Sequence, residues 1–245
     1  MGMVAIPRQF SPGLPRNPYS VVGQDFSYAW SGFKLYHPYL SITDVKGTWI
    51  IPSINCTGVS ATQYASVWVG LDGVRNDTGT LEQIGIQSGC ELANGIVSSN
   101  YDAFVEWYPA PPRIFDVPVR PGDKVTAEVS WSGNTFMAKI VDSTQGWTRS
   151  DVNSVIDRSA WRASAEWIVE APSNDSGSIY PLANFDKVYF SNCFATTSDS
   201  SGPVGSYNLV QDTMLDSAGH PKARPFLPFW NDGTSFSVWW LAAGP

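Results

Sequence analysis

The chain has 245 residues, 43% apolar, 13% aromatic and only 15% charged, with a net charge of −7. That balance suits one domain with a large core and excludes nucleic acid and anionic membranes as partners. No apolar run reaches the roughly 18 residues of a membrane span, and few charges limit the repulsion met when carboxylates titrate in acid. Residues 1–25 carry Pro7, Pro12, Pro15 and Pro18 and read as an extended surface arm. From residue 26 to 245, short alternating runs are separated by Gly, Pro, Asn and Asp, and they predict strands of a single domain. In chain order these are GTWIIP, YASVWVGLDG, TLEQIGIQSG, AFVEWYP, KVTAEVSW, TFMAKIVD, AEWIVE, KVYFSNC and TSFSVWWLA. KVTAEVSW and TFMAKIVD flank SGN as a hairpin. Helical spacing is almost absent. The eleven Trp, ten Tyr and twelve Phe favour sheet, and the expected fold is an all-β antiparallel sandwich of two packed sheets.

Three cysteines, Cys56, Cys90 and Cys193, lie too far apart for a metal knuckle, and neither His37 nor His220 is near one. They fit one disulfide plus a free thiol, or three buried thiols. No grouping has metal-ligand spacing, so no metal or other cofactor is expected. Sequons at Asn55, Asn76 and Asn174 matter only in a glycosylating host. The opening MGMVAIPRQF lacks the regions of a signal peptide, so if the protein is secreted its leader is not in this sequence.

Alternation sorts the strands by face. Val67, Val69 and Leu71 point one way, and Trp68, Gly70 and Asp72 the other. Glu82 shares a face with Ile84 and Ile86, opposite Gln83, Gly85 and Gln87. Val105 and Trp107 face inward, and Phe104, Glu106 and Tyr108 outward. Ala165, Trp167 and Val169 face the core, and Glu166, Ile168 and Glu170 face away. Ordinary solvent faces carry Lys, Thr and Ser. These carry Trp, Tyr, Phe, Gly, Gln and carboxylates, as a cleft lining does.

SVWVGLDG, LEQIGIQ, YDAFVEWYP and AEWIVE, in this order and spacing, resemble the glutamic peptidases, the eqolisin or G1 family. YAWSGF near residue 30 and DGTSFSVWWL at the end are similar to that family's first and last strands. The resemblance spans about Tyr28 to Leu241 and is weak over residues 1–25 and about 195–230. It implies a concanavalin A-like lectin/glucanase jelly roll whose concave face carries a catalytic Gln and Glu. It also implies a secreted, acid-active, pepstatin-insensitive endopeptidase that takes polypeptide substrates as a monomer. The Gln matches Gln83 and the Glu matches Glu170, while Trp68, Asp72, Glu106 and Tyr108 fall at positions lining the family's site. Fungal members are made with a propeptide, and none is visible here.

These residue types suit peptide hydrolysis in acid. A glutamate near its ordinary pKa of ~4.3 is partly ionised in mild acid, so it can take a proton from water and return it to nitrogen. An amide does not titrate and can hydrogen-bond the oxyanion at any acidic pH. Asp72 and Glu106 are expected to orient Gln83 or Trp68, or to set the charge near Glu170. Glu166 and Glu170 share a face but lie ~13 Å apart along the strand, so Glu166 belongs at or beyond the cleft edge.

Three other readings use the same residues. Asp77 in NDTGT and Asp175 in NDSGS match the D-[TS]-G signature of pepsin-like aspartic proteases, but their flanks are polar and turn-like. A glycosidase on a similar jelly roll would use AEWIVE with Glu106 and leaves Gln83 unexplained. A non-catalytic lectin-like or peptide-binding module would use the aromatic cleft alone, without Gln83 and Glu170.

Overall fold

The structure is a computed structural model that describes residues 21–74, 79–153, 160–174 and 176–244. Its strands in chain order are β1 (Val21–Ser27), β2 (Trp30–Tyr36), β3 (Ile42–Ile50), β4 (Gln63–Asp72), β5 (Leu81–Ala93) and β6 (Ile96–Tyr108). Then come β7 (Arg113–Phe115), β8 (Lys124–Ser132), β9 (Thr135–Asp142), β10 (Trp147–Asn153) and β11 (Ser164–Glu170). The last are β12 (Lys187–Thr197), β13 (Ser201–Pro203), β14 (Leu209–Leu215), β15 (Pro221–Trp230) and β16 (Ser235–Trp240). Among the described residues the only helical element is one 3₁₀ turn, Val204–Ser206.

The strands hydrogen-bond in the order β10-β9-β8-β3-β12-β16-β15-β14-β2-β11-β4-β5-β6-β7. This ladder folds back on itself, so that β4 and β5 pack across β3, β8 and β9. The result is the expected antiparallel sandwich, with β14-β2-β11-β4-β5-β6-β7 as one layer and β10-β9-β8-β3-β12-β16 as the other. Inward residues close the gap: Val67, Val69, Ile84, Val105 and Trp167 from one layer, and Val45, Trp49, Val129, Ile140 and Phe190 from the other, are all buried. Trp167 reaches across the core, its indole N–H donating to Lys46 O at 2.8 Å. A buried N–H placed this way keeps its hydrogen bond and still fills volume.

The turns follow from local chemistry. In the β8–β9 hairpin Ser132 pairs with Thr135, and Gly133 and Asn134 both have positive φ. The β5–β6 hairpin uses Asn94 and Gly95 in the same way. Both are two-residue loops whose twist matches the flanking strands. β5 and β6 extend well beyond the runs read from sequence, to 13 residues each, and β1, β7, β10, β14 and β15 had no clear sequence signal. Residues 1–20 of the segment read as an arm lie outside the described residues. Its last five residues belong to β1, which runs parallel to β14. Cys56 and Cys90 form a disulfide, and Cys193 is a buried free thiol. Asp77 and Asp175 lie outside the described residues.

Candidate active site

A cleft of about 520 Å³ opens on the face away from the core, and its lining includes Trp30, Gln83, Gln87, Glu106, Tyr108 and Glu170. Gln83 and Glu170 therefore share one depression, although they stand on two strands, β5 and β11, that are not neighbours. β4 lies between β5 and β11, with Gln83 opposite Gly70 and Glu170 opposite Ser66. Trp68 lies between these two rows, opposite both Gly85 and Ile168.

The two glycines make the arrangement possible. A Cβ on Gly85 would sit 2.2 Å from Val67 O and 2.6 Å from the Trp68 Cβ, and one on Gly70 would sit 2.9 Å from the Trp68 ring. All three distances are below contact, so glycine leaves the room into which the Trp68 indole lies down. Trp68 is fully buried against Leu81, Phe104, Ile168 and Trp30, beneath the cleft and not exposed in it. Its Nε1–H donates to Glu170 Oε2 at 2.8 Å. Trp30 stands edge-on to Trp68 with centroids 5.0 Å apart, and its indole favours the ionised form of the Glu170 carboxyl. Trp30 and the two glycines were not read as site residues from sequence, although Trp30 lies in YAWSGF and the glycines in SVWVGLDG and LEQIGIQ.

These surroundings change the expected charge of Glu170. Burial is the main cause, and it pushes the carboxyl up to about 7; the Trp68 and Trp30 donors pull it back and Glu106 adds repulsion. Burial thus favours the neutral acid form of Glu170 in mild acid, where a glutamate at its ordinary pKa is partly ionised. The sequence shows the residue but not its desolvation.

Gln83 is 5% exposed. Its Nε2 donates to Glu106 Oε2 at 2.5 Å, while its amide oxygen is buried with no partner among the described residues. Glu106 thus fixes which end of the amide is the donor. Burial raises the Glu106 carboxyl above its usual range, and the Gln83 bond opposes that shift. Tyr108 stands at the rim, 51% exposed.

Asp72 is placed differently. It is buried, and its carboxylate accepts the backbone N–H of Arg162 at 2.7 Å and of Ala163 at 3.0 Å. It holds the segment that leads into β11, so it supports Glu170 through the backbone. The expectation that it orients Gln83 or Trp68 is corrected, because its oxygens face that loop. Glu166 is 0% exposed and lies outside the cleft. It stands opposite Lys34 on β2 and Gly70 on β4, and burial holds its carboxyl well above the ordinary range. Lys34 in turn contacts Asp25 at 2.8 Å and Asp212 at 2.9 Å.

These buried carboxyls set the response to pH. Burial first of all raises Glu166, Glu170 and Asp212, the last to about 6, and burial with the neighbouring Glu128 raises Asp44. A raised carboxyl binds its proton more tightly folded than unfolded, so the native chain holds more protons between the ordinary carboxylate range and about 7. Stability therefore falls as pH rises through that window and gains nothing further below it. The melting temperature is expected to be highest at about pH 4 and lower at each step toward neutrality; a rise from pH 4 to 7 would contradict this charge assignment.

Comparison with known proteins places the chain. The Peptidase A4 family profile matches residues 28–219, including part of the segment where the sequence resemblance was weak. Aspergillopepsin-2 of Aspergillus niger is 30% identical, covering 74% of this chain and 68% of that protein. Among solved structures, scytalido-glutamic peptidase bound to a peptide-based transition-state analogue superposes with a TM-score of 0.70 at 24% identity, over 87% of this chain and 98% of the other. Aspergilloglutamic peptidase from Aspergillus niger gives 0.59 at 26% identity, over 73% and 99%. With its family's profile covering most of its length and its fold shared with the solved members, the chain belongs to the Peptidase A4 family, the eqolisin glutamic peptidases.

Proposed function

We propose that this acid endopeptidase hydrolyses peptide bonds with Gln83 and Glu170 as its catalytic pair. The observation that carries the reading is their position: an oriented amide with a free oxygen, and a carboxyl kept neutral in acid, line the same cleft. One N–H of the Gln83 amide serves Glu106, so the other is free to hold the attacking water and then to donate to the developing oxyanion. Glu170 in its neutral form does two transfers. One carboxyl oxygen accepts the proton that water loses, while the other releases its proton to the leaving nitrogen. The water oxygen bonds the carbonyl carbon, the C–N bond breaks, and Glu170 ends with one proton, as it began.

The same charge state accounts for activity in acid. Once Glu170 ionises, a second negative charge lies beside Glu106, where the oxyanion must form. kcat/KM falls as pH rises through the titration near 7. Asp72, Glu106, Trp68 and Tyr108 have supporting roles: Asp72 fixes the approach to β11, Glu106 orients Gln83, Trp68 holds Glu170, and Tyr108 flanks the substrate. The Cys56–Cys90 disulfide supports an exported protein. The cleft is built within one chain, which supports action as a monomer.

The pair uses neither a metal nor a serine, cysteine or aspartate nucleophile system. Hydrolysis of a denatured protein at acidic pH is expected to survive EDTA, pepstatin and serine- or cysteine-directed reagents at wild-type rates. Inactivation by chelation, or by pepstatin at stoichiometric amounts, would overturn the Gln83–Glu170 assignment.

A further inference from the structure

The cleft has one wall outside the strands that carry Gln83 and Glu170. β7 is the edge strand of this layer, and it pairs Phe104 with Ile114 and Val105 with Arg113. Directly opposed residues in an antiparallel pair share a face. Ile114 therefore stands on the cleft side beside Phe104, and Arg113 points to the other side. There Arg113 ion-pairs with Asp151 of β10, which also accepts the Trp107 indole N–H at 2.8 Å. That tie holds the edge strand in place from behind. Pro109, Pro111 and Pro112 precede β7, and their fixed φ angles stiffen the approach.

Ile114 is 54% exposed while Phe104, its neighbour, is only 6% exposed. An isolated exposed isoleucine needs no explanation. This one leans over a half-enclosed cleft together with Phe104, Tyr108 and Pro112. Phe104 is two residues from Glu106 on the same face, or ~7 Å along the strand. Glu106 in turn holds the Gln83 amide. The apolar patch thus lies about two residues from the reacting bond of an extended peptide. Among the described residues no basic side chain lines the cleft, so an acidic substrate side chain finds no ion-pair partner there.

We infer that Ile114 is a specificity-determining residue, which with Phe104 seats a large apolar side chain of the substrate about two residues from the scissile bond. The inference rests on the cleft being the peptidase site proposed above. One methylene more or less in such a subsite changes selectivity by roughly tenfold or more.

The test is cleavage-site profiling of an acid-denatured protein digest by mass spectrometry, for wild type, Ile114→Ala and Ile114→Asp. Wild type is expected to cut with Leu, Ile, Met, Phe, Tyr or Trp enriched at one position about two residues from the cleaved bond. Ile114→Asp is expected to lose that enrichment. On a matched pair of quenched peptides, Ile114→Ala is expected to lower kcat/KM about tenfold for the apolar peptide and to leave the Gly counterpart unchanged. An unchanged profile in Ile114→Asp, no enrichment in wild type, or an equal loss on both peptides would overturn the inference while leaving the catalytic pair standing. A wild type that cleaves nothing in acid would overturn both.

Discussion

Glu170→Gln is expected to lower kcat by a factor on the order of 10⁴, the upper range for loss of general acid–base catalysis, with the fold intact. The substitution preserves shape. Its amide oxygen can still accept the Trp68 indole N–H that reaches Glu170 Oε2, but it cannot pass a proton from water to nitrogen. Wild-type Glu170 is neutral in acid because burial lifts it to about 7, so replacing it with a neutral amide leaves stability in acid nearly unchanged. At neutral pH the variant is expected to melt higher than wild type, because it has no raised proton to lose. Glu166→Gln separates position from chemistry. That carboxyl is fully buried outside the cleft, so its replacement is expected to leave most of the activity and to alter mainly the pH dependence of stability. If instead Glu166→Gln were inactive and Glu170→Gln active, the assignment along β11 would be wrong by four residues.

Gln83→Ala is expected to lower kcat by a factor on the order of 10²–10³, as removal of an oxyanion donor does elsewhere. The loss is expected at the upper end of that range, because the same amide N–H also positions the attacking water. KM is expected to move far less. Gln83→Glu is the sharper change. A carboxyl donates a hydrogen bond only while protonated, and here it would stand against Glu106, at the 2.5 Å now occupied by an amide–carboxylate bond. The two would share a proton, and their repulsion would spread to Glu170 as pH rises. Residual activity is expected only at the most acidic pH. Activity of Gln83→Glu that equals wild type at pH 6 would show that the position needs no donor.

Much of this site was legible in the sequence because a strand's period is two. The same alternation that sent Val67, Val69 and Leu71 to the core put Trp68 on the other side, and it separated Gln83 from Ile84. The order of four motifs then pointed to Gln83 and Glu170, and the structure places both residues in one cleft. What alternation cannot show is depth. Trp68, Asp72, Glu166 and Ile168 lie on the face that looks away from the core, yet all four are buried: Trp68 and Ile168 pack with Leu81, Phe104 and Trp30, and Asp72 lies under the Arg162–Ala163 backbone it holds. Burial in turn sets the charge of Glu170, which the ordinary pKa of a glutamate misstates. Nor does a strand's pattern show what a carboxylate touches beyond its own layer. Asp72 was expected beside Gln83 or Trp68 and instead holds the backbone of Arg162 and Ala163, 90 residues away. β7 and β14 escaped notice for a simpler reason. A three-residue edge strand is too short to show a period, and β14 interrupts its apolar residues with Gln211, Asp212 and Thr213.

The central claim is that peptide hydrolysis in acid depends on Gln83 and Glu170 together. The most direct test is the rate of hydrolysis of a denatured protein at intervals from pH 2 to 7, measured side by side for wild type, Glu170→Gln and Gln83→Ala, each shown to be folded at the assay pH. The account predicts strong wild-type turnover in acid that declines as pH approaches 7, no measurable turnover for Glu170→Gln, and a loss of at least about 10² for Gln83→Ala across the acid range. Near-wild-type turnover in either variant at any acidic pH would contradict it.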